Sequence, residues 1–228
     1  MKIILSGGGS GKDSQELDKL FASLLNKSKP LLYIPIAIDN IKHPYPDCLK
    51  WLKSTFNKLN ITKYELWAEE DLKKSQKINP LKFSGIYIGG GNTPYLLNKL
   101  KKTGFWNFLK KAIKLNLPIY GGSAGAIIFS KSIILSLYED KNWIEIKNLT
   151  GMNSLNNYEL TTHYNLKDKN KMMKLSEKHN SSPIIALSEK NGLYINNNKI
   201  FLIGQEPAKI FHKGKIREIK LNQELIFN

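Results

Sequence analysis

Residues 118 to 126, Pro-Ile-Tyr-Gly-Gly-Ser-Ala-Gly-Ala, carry a short buried-strand pattern straight into a G-x-S-x-G turn, and Ala126-Ile127-Ile128-Phe129 then reads as the start of a helix. A connection this tight between strand and helix allows few folds. Gly121 and Gly125 carry no Cβ, so the backbone can bend sharply and the helix can lie close on the strand at little steric cost. The turn also prescribes chemistry: a serine at its tip holds its hydroxyl clear of the chain, and the N–H groups behind it are free to bind an oxyanion. The same letters elsewhere would be a plain glycine-rich bend. The apolar strand before Ser123 and the helix-like run after it favour a nucleophile.

The first half of the chain alternates strand-like apolar runs with amphipathic stretches, which predicts a mostly parallel sheet flanked by helices. Strands are expected at Lys2 to Leu5, Leu31 to Ile36, Thr62 to Trp67, Gly85 to Ile88 and Ile119-Tyr120. Helical spacing joins Leu17, Leu20, Phe21, Leu24 and Leu25 behind an Asp13/Glu16 capping-box pair, and a second helix spans Leu49 to Leu59. Asn92 or Thr93 with Pro94 marks a third helix start, leading into Leu96, Leu97 and Leu100. From Pro183 the pattern becomes short strands with tight turns, among them Asn196-Asn197-Asn198, and predicts antiparallel strands that extend or flank the sheet. Lys141 to Asn170 is poorly periodic and reads as long loops. No boundary divides residues 1 to 228, so one α/β domain is expected.

The 228 residues contain 41% hydrophobic and 24% charged side chains, with no apolar run long enough for a membrane span or a signal peptide. A cytoplasmic protein is the expectation. Cys48 is the single cysteine, so neither an internal disulfide nor a cysteine metal site is expected, and it reads as packing on a helix face. The net charge of +16 invites a nucleic-acid reading, but Arg217 is the only arginine and the lysines are scattered. Base-edge and bidentate phosphate readers favour arginine, so no nucleic-acid or membrane partner is expected.

A serine hydroxyl becomes a good nucleophile only when a base takes its proton, and the base must itself be oriented. Of four histidines, His43, His179 and His212 lie in polar or turn segments, whereas His163 ends the semi-apolar stretch Tyr158 to Thr162. His163 is the expected base. Between it and Ser123 the candidate acids are Glu139, Asp140, Glu145 and Glu159; Glu139-Asp140 closes an apolar run from Ile133 and could turn back into the site. Should neither of that pair serve, Glu189 is the next candidate. The N–H of Ala124 supplies one oxyanion donor, and Gly89-Gly90-Gly91 fits the second. Gly7 to Ser14 looks like a phosphate loop, yet Ser6 stands where the first glycine belongs and Asp13 follows Lys12 where Ser or Thr should. It reads as a glycine-rich loop beside the active site.

Gly-Gly-Gly-Asn-Thr at 89 to 93, Gly-Gly-Ser-Ala-Gly-Ala at 121 to 126 and Thr-His-Tyr at 162 to 164, in that order, resemble the peptidase E family of serine peptidases, which includes aspartyl dipeptidase and cyanophycinase. The resemblance implies a fold like class I glutamine amidotransferases and a Ser-His-acid mechanism without cofactor or metal. It implies Ser123 as nucleophile, His163 as base, Ala124 with Gly90 or Gly91 as oxyanion hole, and an acid a little over a dozen residues after the serine, hence Asp140 or, alternatively, Glu139. The implied substrate is a short peptide, such as a dipeptide with N-terminal Asp. In aspartyl dipeptidase an arginine after the histidine holds the aspartate, whereas Asn165 to Lys174 here contains no arginine, and lysines 167, 169 and 171 are the candidates to replace it. The reading of another class is a catalytically silent protein that binds a small ligand in the same pocket. A homodimer is left open.

Overall fold

The structure, a computed structural model, describes residues 1–197 and 199–226. Asn198, in the expected turn at 196 to 198, lies outside the described residues. The first half runs β1 (Lys2–Ser6), α1 (Gln15–Leu24), β2 (Leu31–Ile34), α2 (Tyr45–Phe56), β3 (Tyr64–Leu66), β4 (Gly85–Ile88), α3 (Thr93–Lys102), α4 (Phe105–Lys114), β5 (Ile119–Gly122) and α5 (Ala124–Ile127). The second half adds β6 (Glu159–Thr161), α6 (Lys169–Lys178), β7 (Ile184–Ala186), β8 (Asn191–Asn196), β9 (Lys199–Gly204), β10 (Ala208–His212) and β11 (Lys215–Ile219).

The main sheet has the order β3-β2-β4-β5-β1-β8-β9. Its first five strands are parallel, and β8 and β9 extend it antiparallel. Both faces are covered, as the near-continuous apolar strands require. Ile3, Leu5, Ile34, Ile86 and Ile119 face Leu96, Leu100, Phe105 and Leu109 of α3 and α4. Ile4, Tyr33, Tyr87 and Tyr120, one residue out of phase, face Leu17 and Phe21 of α1 and Leu52 and Phe56 of α2. This period of two fixes the register. A smaller sheet, β11-β10-β7-β6, carries the remaining antiparallel strands together with one parallel pair, β6 and β7.

Several expectations are corrected. The segment 141 to 170 is not all loop, because Glu159–Thr161 pairs with β7 and Lys169 opens α6. Ser14 and not Asp13 stands at the start of α1, and its hydroxyl donates to the buried Asp18 at 2.7 Å instead of capping the helix. Asn92 does cap α3, its side chain accepting from Tyr95 N at 2.9 Å. Helix α4 was not among the expected elements. Phe105, Trp106, Phe108, Leu109 and Ala112 form its buried face, and Phe105 and Phe108 close an aromatic cluster with Trp67 and Phe83.

Candidate active site

The register sets the site. Ser6 pairs with Gly122 and Ile88 with Gly121, so β1, β4 and β5 end together and their glycine-rich exits share one edge. Ser123 leaves β5 with φ 50° and ψ −113°, a conformation unfavourable for any residue with a Cβ, and α5 starts at the next residue. The turn is held from three sides. Ser123 N donates to Ser6 O at 3.2 Å, a Cβ on Gly121 would lie 2.2 Å from Gly125 O, and a Cβ on Gly125 would lie 2.3 Å from Ile88 O. Both positions must therefore be glycine.

His163 follows β6 and is also left-handed, at φ 56°. Its N–H donates to Gly7 O at 2.9 Å, which fixes the backbone against the first loop. The imidazole lies between two partners: Nε2 is 2.8 Å from Ser123 Oγ, and Nδ1 is 2.9 Å from Glu189 Oε1. Glu189 comes from the exit of β7, next to β6 in the small sheet. The His163 and Glu189 side chains are 48% and 57% exposed, so water reaches the relay. The phosphate-loop look-alike is a cradle for this pair. Gly8 has φ 107°, and a Cβ there would stand 2.2 Å from His163 Cε1, while a Cβ on Gly9 would stand 2.0 Å from Glu189 O. The Gly8 N–H in turn donates to Ser6 Oγ at 3.2 Å.

Asp140 and Glu139 do not touch His163, which corrects the expected acid. The Asp140 carboxylate accepts from Thr93 N at 2.9 Å, where the first turn of α3 presents free N–H groups and a positive dipole end. Glu139 pairs with Lys171. The signal for Glu189 is its place three residues beyond a strand, β7, that ends at the same edge as β6; distance along the chain favours Glu139-Asp140 instead.

Gly90 and Gly91 lie beside the serine. A Cβ on Gly90 would be 3.0 Å from Ser123 Cβ, and Gly91, at φ 135°, would drive one to 2.1 Å from Ala37 O. Among the described residues the N–H groups of Gly90, Gly91 and Ala124 meet no backbone acceptor. Two cavities meet at Ser123. One, of about 280 Å³, is lined by His163, Thr162, Glu139, Asp140 and Asp168. The other, of about 390 Å³, is lined by Tyr33, Trp51, Tyr87, Gly90 and the mouth residues Lys42 and His43. Cys48 also lines it, buried on α2 as expected, with its thiol pushed up by burial. Arg217 lies on β11 and lines neither cavity.

Behind the serine a polar chain crosses the core. The Tyr120 hydroxyl bonds to Ser6 and to Asp18, and burial pushes the Asp18 carboxyl up to about 6. Tyr33 and Tyr87 are raised as well, by burial, and stay un-ionised.

A serine on a strained strand-to-helix turn at the edge of a parallel sheet, with an imidazole against its hydroxyl, is the arrangement of α/β hydrolytic enzymes. The chain matches the sequence profile of Peptidase family S51 over residues 3–203, and it belongs to that family of peptidases. Peptidase E of Shewanella denitrificans is 25% identical over 206 residues, covering 87% of this chain and 84% of that protein. Two crystal structures share the fold. A candidate peptidase E protein from Listeria monocytogenes EGD-e superposes with a TM-score of 0.69 at 22% identity, over 90% of this chain and 98% of that one. A peptidase from an acI-B1 Actinobacterium gives 0.71 at 18% identity, over 99% and 96%.

Proposed function

We propose that the protein is a serine peptidase that cleaves short peptides through an acyl-enzyme on Ser123. The observation that carries this reading is the continuous relay from Ser123 Oγ through the His163 ring to Glu189. In the first step His163 Nε2 takes the hydroxyl proton as Oγ bonds to the scissile carbonyl carbon, and the carbonyl π electrons move onto oxygen. That oxyanion meets the N–H of Ala124 and of Gly90 or Gly91. The C–N bond then breaks, the Nε2 proton passes to the leaving amine, and the ester remains on Ser123. Water enters by the same route in reverse, giving its proton to Nε2 and releasing the acid. Glu189 accepts the Nδ1–H throughout, which fixes the tautomer and offsets the charge of the imidazolium.

An alkyl fluorophosphonate tests this without knowledge of the substrate. One adduct per chain at Ser123 is expected, with none in Ser123→Ala and a rate lowered by orders of magnitude in His163→Ala. Folded protein that takes up no adduct would instead support a silent binding protein.

A further inference from the structure

The smaller cavity at Ser123 runs against the charge of the chain. The molecule has 35 Lys and Arg against 19 Asp and Glu, yet the walls of this cavity of about 280 Å³ hold the carboxylates of Glu139, Asp140 and Asp168 and, among the described residues, no lysine or arginine. Two of these carboxylates are engaged. Glu139 pairs with Lys171, and Asp140 accepts from Thr93 N at the positive end of α3. Asp168 meets no cation among the described residues. Its Oδ2 accepts from Asn165 N at 3.1 Å in the capping box ahead of α6, which holds the carboxylate in place and leaves its charge uncompensated. Ile127, Leu135 and Met172 give the same cavity an apolar surface. A side chain with an aliphatic stem and a positive end matches that combination.

A second observation points to a ligand. Thr93 lines the cavity and is only 1% exposed, and among the described residues its Oγ1 has no hydrogen-bond partner. A buried hydroxyl left alone is costly, so an unpartnered one on a cavity wall calls for a group that enters the cavity. The place of that group in a peptide follows from the wall opposite. Tyr164, Asn165 and Asp168, the segment after His163, form it. In aspartyl dipeptidase, which the chain resembles, the segment after the histidine holds the N-terminal aspartate, the residue before the scissile bond. Here that segment presents a carboxylate to the cavity where a guanidinium would be needed, and lysines 167, 169 and 171 do not line it. An aspartate would be desolvated among like charges.

We propose, on the serine-peptidase reading above, that the smaller cavity selects a basic side chain, lysine or arginine, at the residue before the scissile bond. The stem lies on Ile127, Leu135 and Met172, and the charged end meets the Asp168 carboxylate and the Thr93 hydroxyl. Hydrogen bonds to an ionised partner are about twice as strong as neutral ones, so the charge contributes more to selection than the stem does.

The test measures covalent capture of Ser123 by α-aminoalkyl diphenyl phosphonates, whose side chain takes the place of the one before the scissile bond. Compounds with 4-aminobutyl, 3-guanidinopropyl, butyl and carboxymethyl side chains are compared with an alkyl fluorophosphonate. The two basic compounds should react about thirtyfold or more faster than the butyl compound, which keeps the stem without the charge, and the carboxymethyl compound should be slowest. Asp168→Asn keeps an acceptor for Asn165 N but removes the charge, and should lower the aminobutyl-to-butyl ratio about tenfold; Thr93→Val should lower it about threefold. General damage to the fold would slow both compounds together and leave the ratio where it was. A basic-to-butyl ratio near one, a carboxymethyl preference, or an unchanged ratio in both variants overturns the cavity assignment, with the fluorophosphonate adduct showing that the serine remains reactive. If the fluorophosphonate itself fails on folded wild-type protein, the peptidase reading falls and takes this one with it.

Discussion

Gly8 shows how little space the catalytic geometry leaves. Its φ of 107° is closed to most side chains, and the Cβ of an alanine would meet the His163 ring. Gly8→Ala should cost about 1–3 kcal/mol of stability from the backbone conformation. Because the ring must move, capture of a fluorophosphonate by Ser123 should fall about a hundredfold or more. Thermal melting together with labelling kinetics checks both; an unchanged labelling rate would mean that the loop does not hold His163. Asp140→Asn tests the opposite kind of residue. It weakens the charge at the start of α3, worth about 0.3–1 kcal/mol, and should leave the reactivity of Ser123 within about threefold. The contact between Ser123 and His163 was legible in the sequence because the serine's turn is local and only four histidines compete. The carboxylate beside His163 was not. Glu189 reaches His163 only through the pairing of β6 with β7, a contact between strands about 25 residues apart that no local pattern announces.

At the scale of elements, the chain Asp18–Tyr120–Ser6 ties α1 to β5 and β1 and ends at the Gly8 N–H. Burial raises the Asp18 carboxyl from 3.8 to about 6 despite its hydrogen bonds from Ser14 and Tyr120. A carboxyl whose folded value is raised binds its proton more tightly when folded. The stability it contributes is full below about 3.8 and is lost as pH rises through about 6. At 1.36 kcal/mol per unit the loss is about 3 kcal/mol in order of magnitude. Urea unfolding of wild type and Asp18→Asn at pH 4 and pH 7 should show this as a difference in slope: wild type falls relative to the variant across the interval. Parallel profiles would place the Asp18 value near its ordinary one. The parallel strands could be read because buried β-strands are short apolar runs bounded by glycine, and the Asn92 cap because its signal is local. β6 escaped notice because three residues of strand inside a polar stretch carry almost no period, and its partner β7 lies far along the chain.

For the whole molecule, the net charge of +16 is spread over lysines, and the only arginine lies on β11 away from both cavities. Lys171, one of the lysines that could replace a substrate-binding arginine, is paired with Glu139. Without a planar cationic fork in the cleft, preference for N-terminal Asp over Asn in matched dipeptides should not exceed about 1–2 kcal/mol, roughly tenfold in kcat/KM. A thousandfold preference at fixed ionic strength would mean that a lysine, Arg217 or a partner subunit supplies the clamp. The doubly covered parallel sheet followed from the alternation of strands and helices, whereas the division of the C-terminal strands between two sheets did not, since antiparallel strands of similar composition pair equally well with either edge. Those strands matter because they bring both His163 and Glu189 to the edge where β5 leaves Ser123. The most direct measurement of the resulting relay is the second-order rate of fluorophosphonate capture at Ser123 in wild type, Glu189→Gln and Asp140→Asn, with mass spectrometry to count adducts. A rate about a hundredfold lower in Glu189→Gln, beside a near-normal rate in Asp140→Asn, is expected. A normal rate in Glu189→Gln with a collapse in Asp140→Asn would contradict the relay and return the orienting role to Asp140.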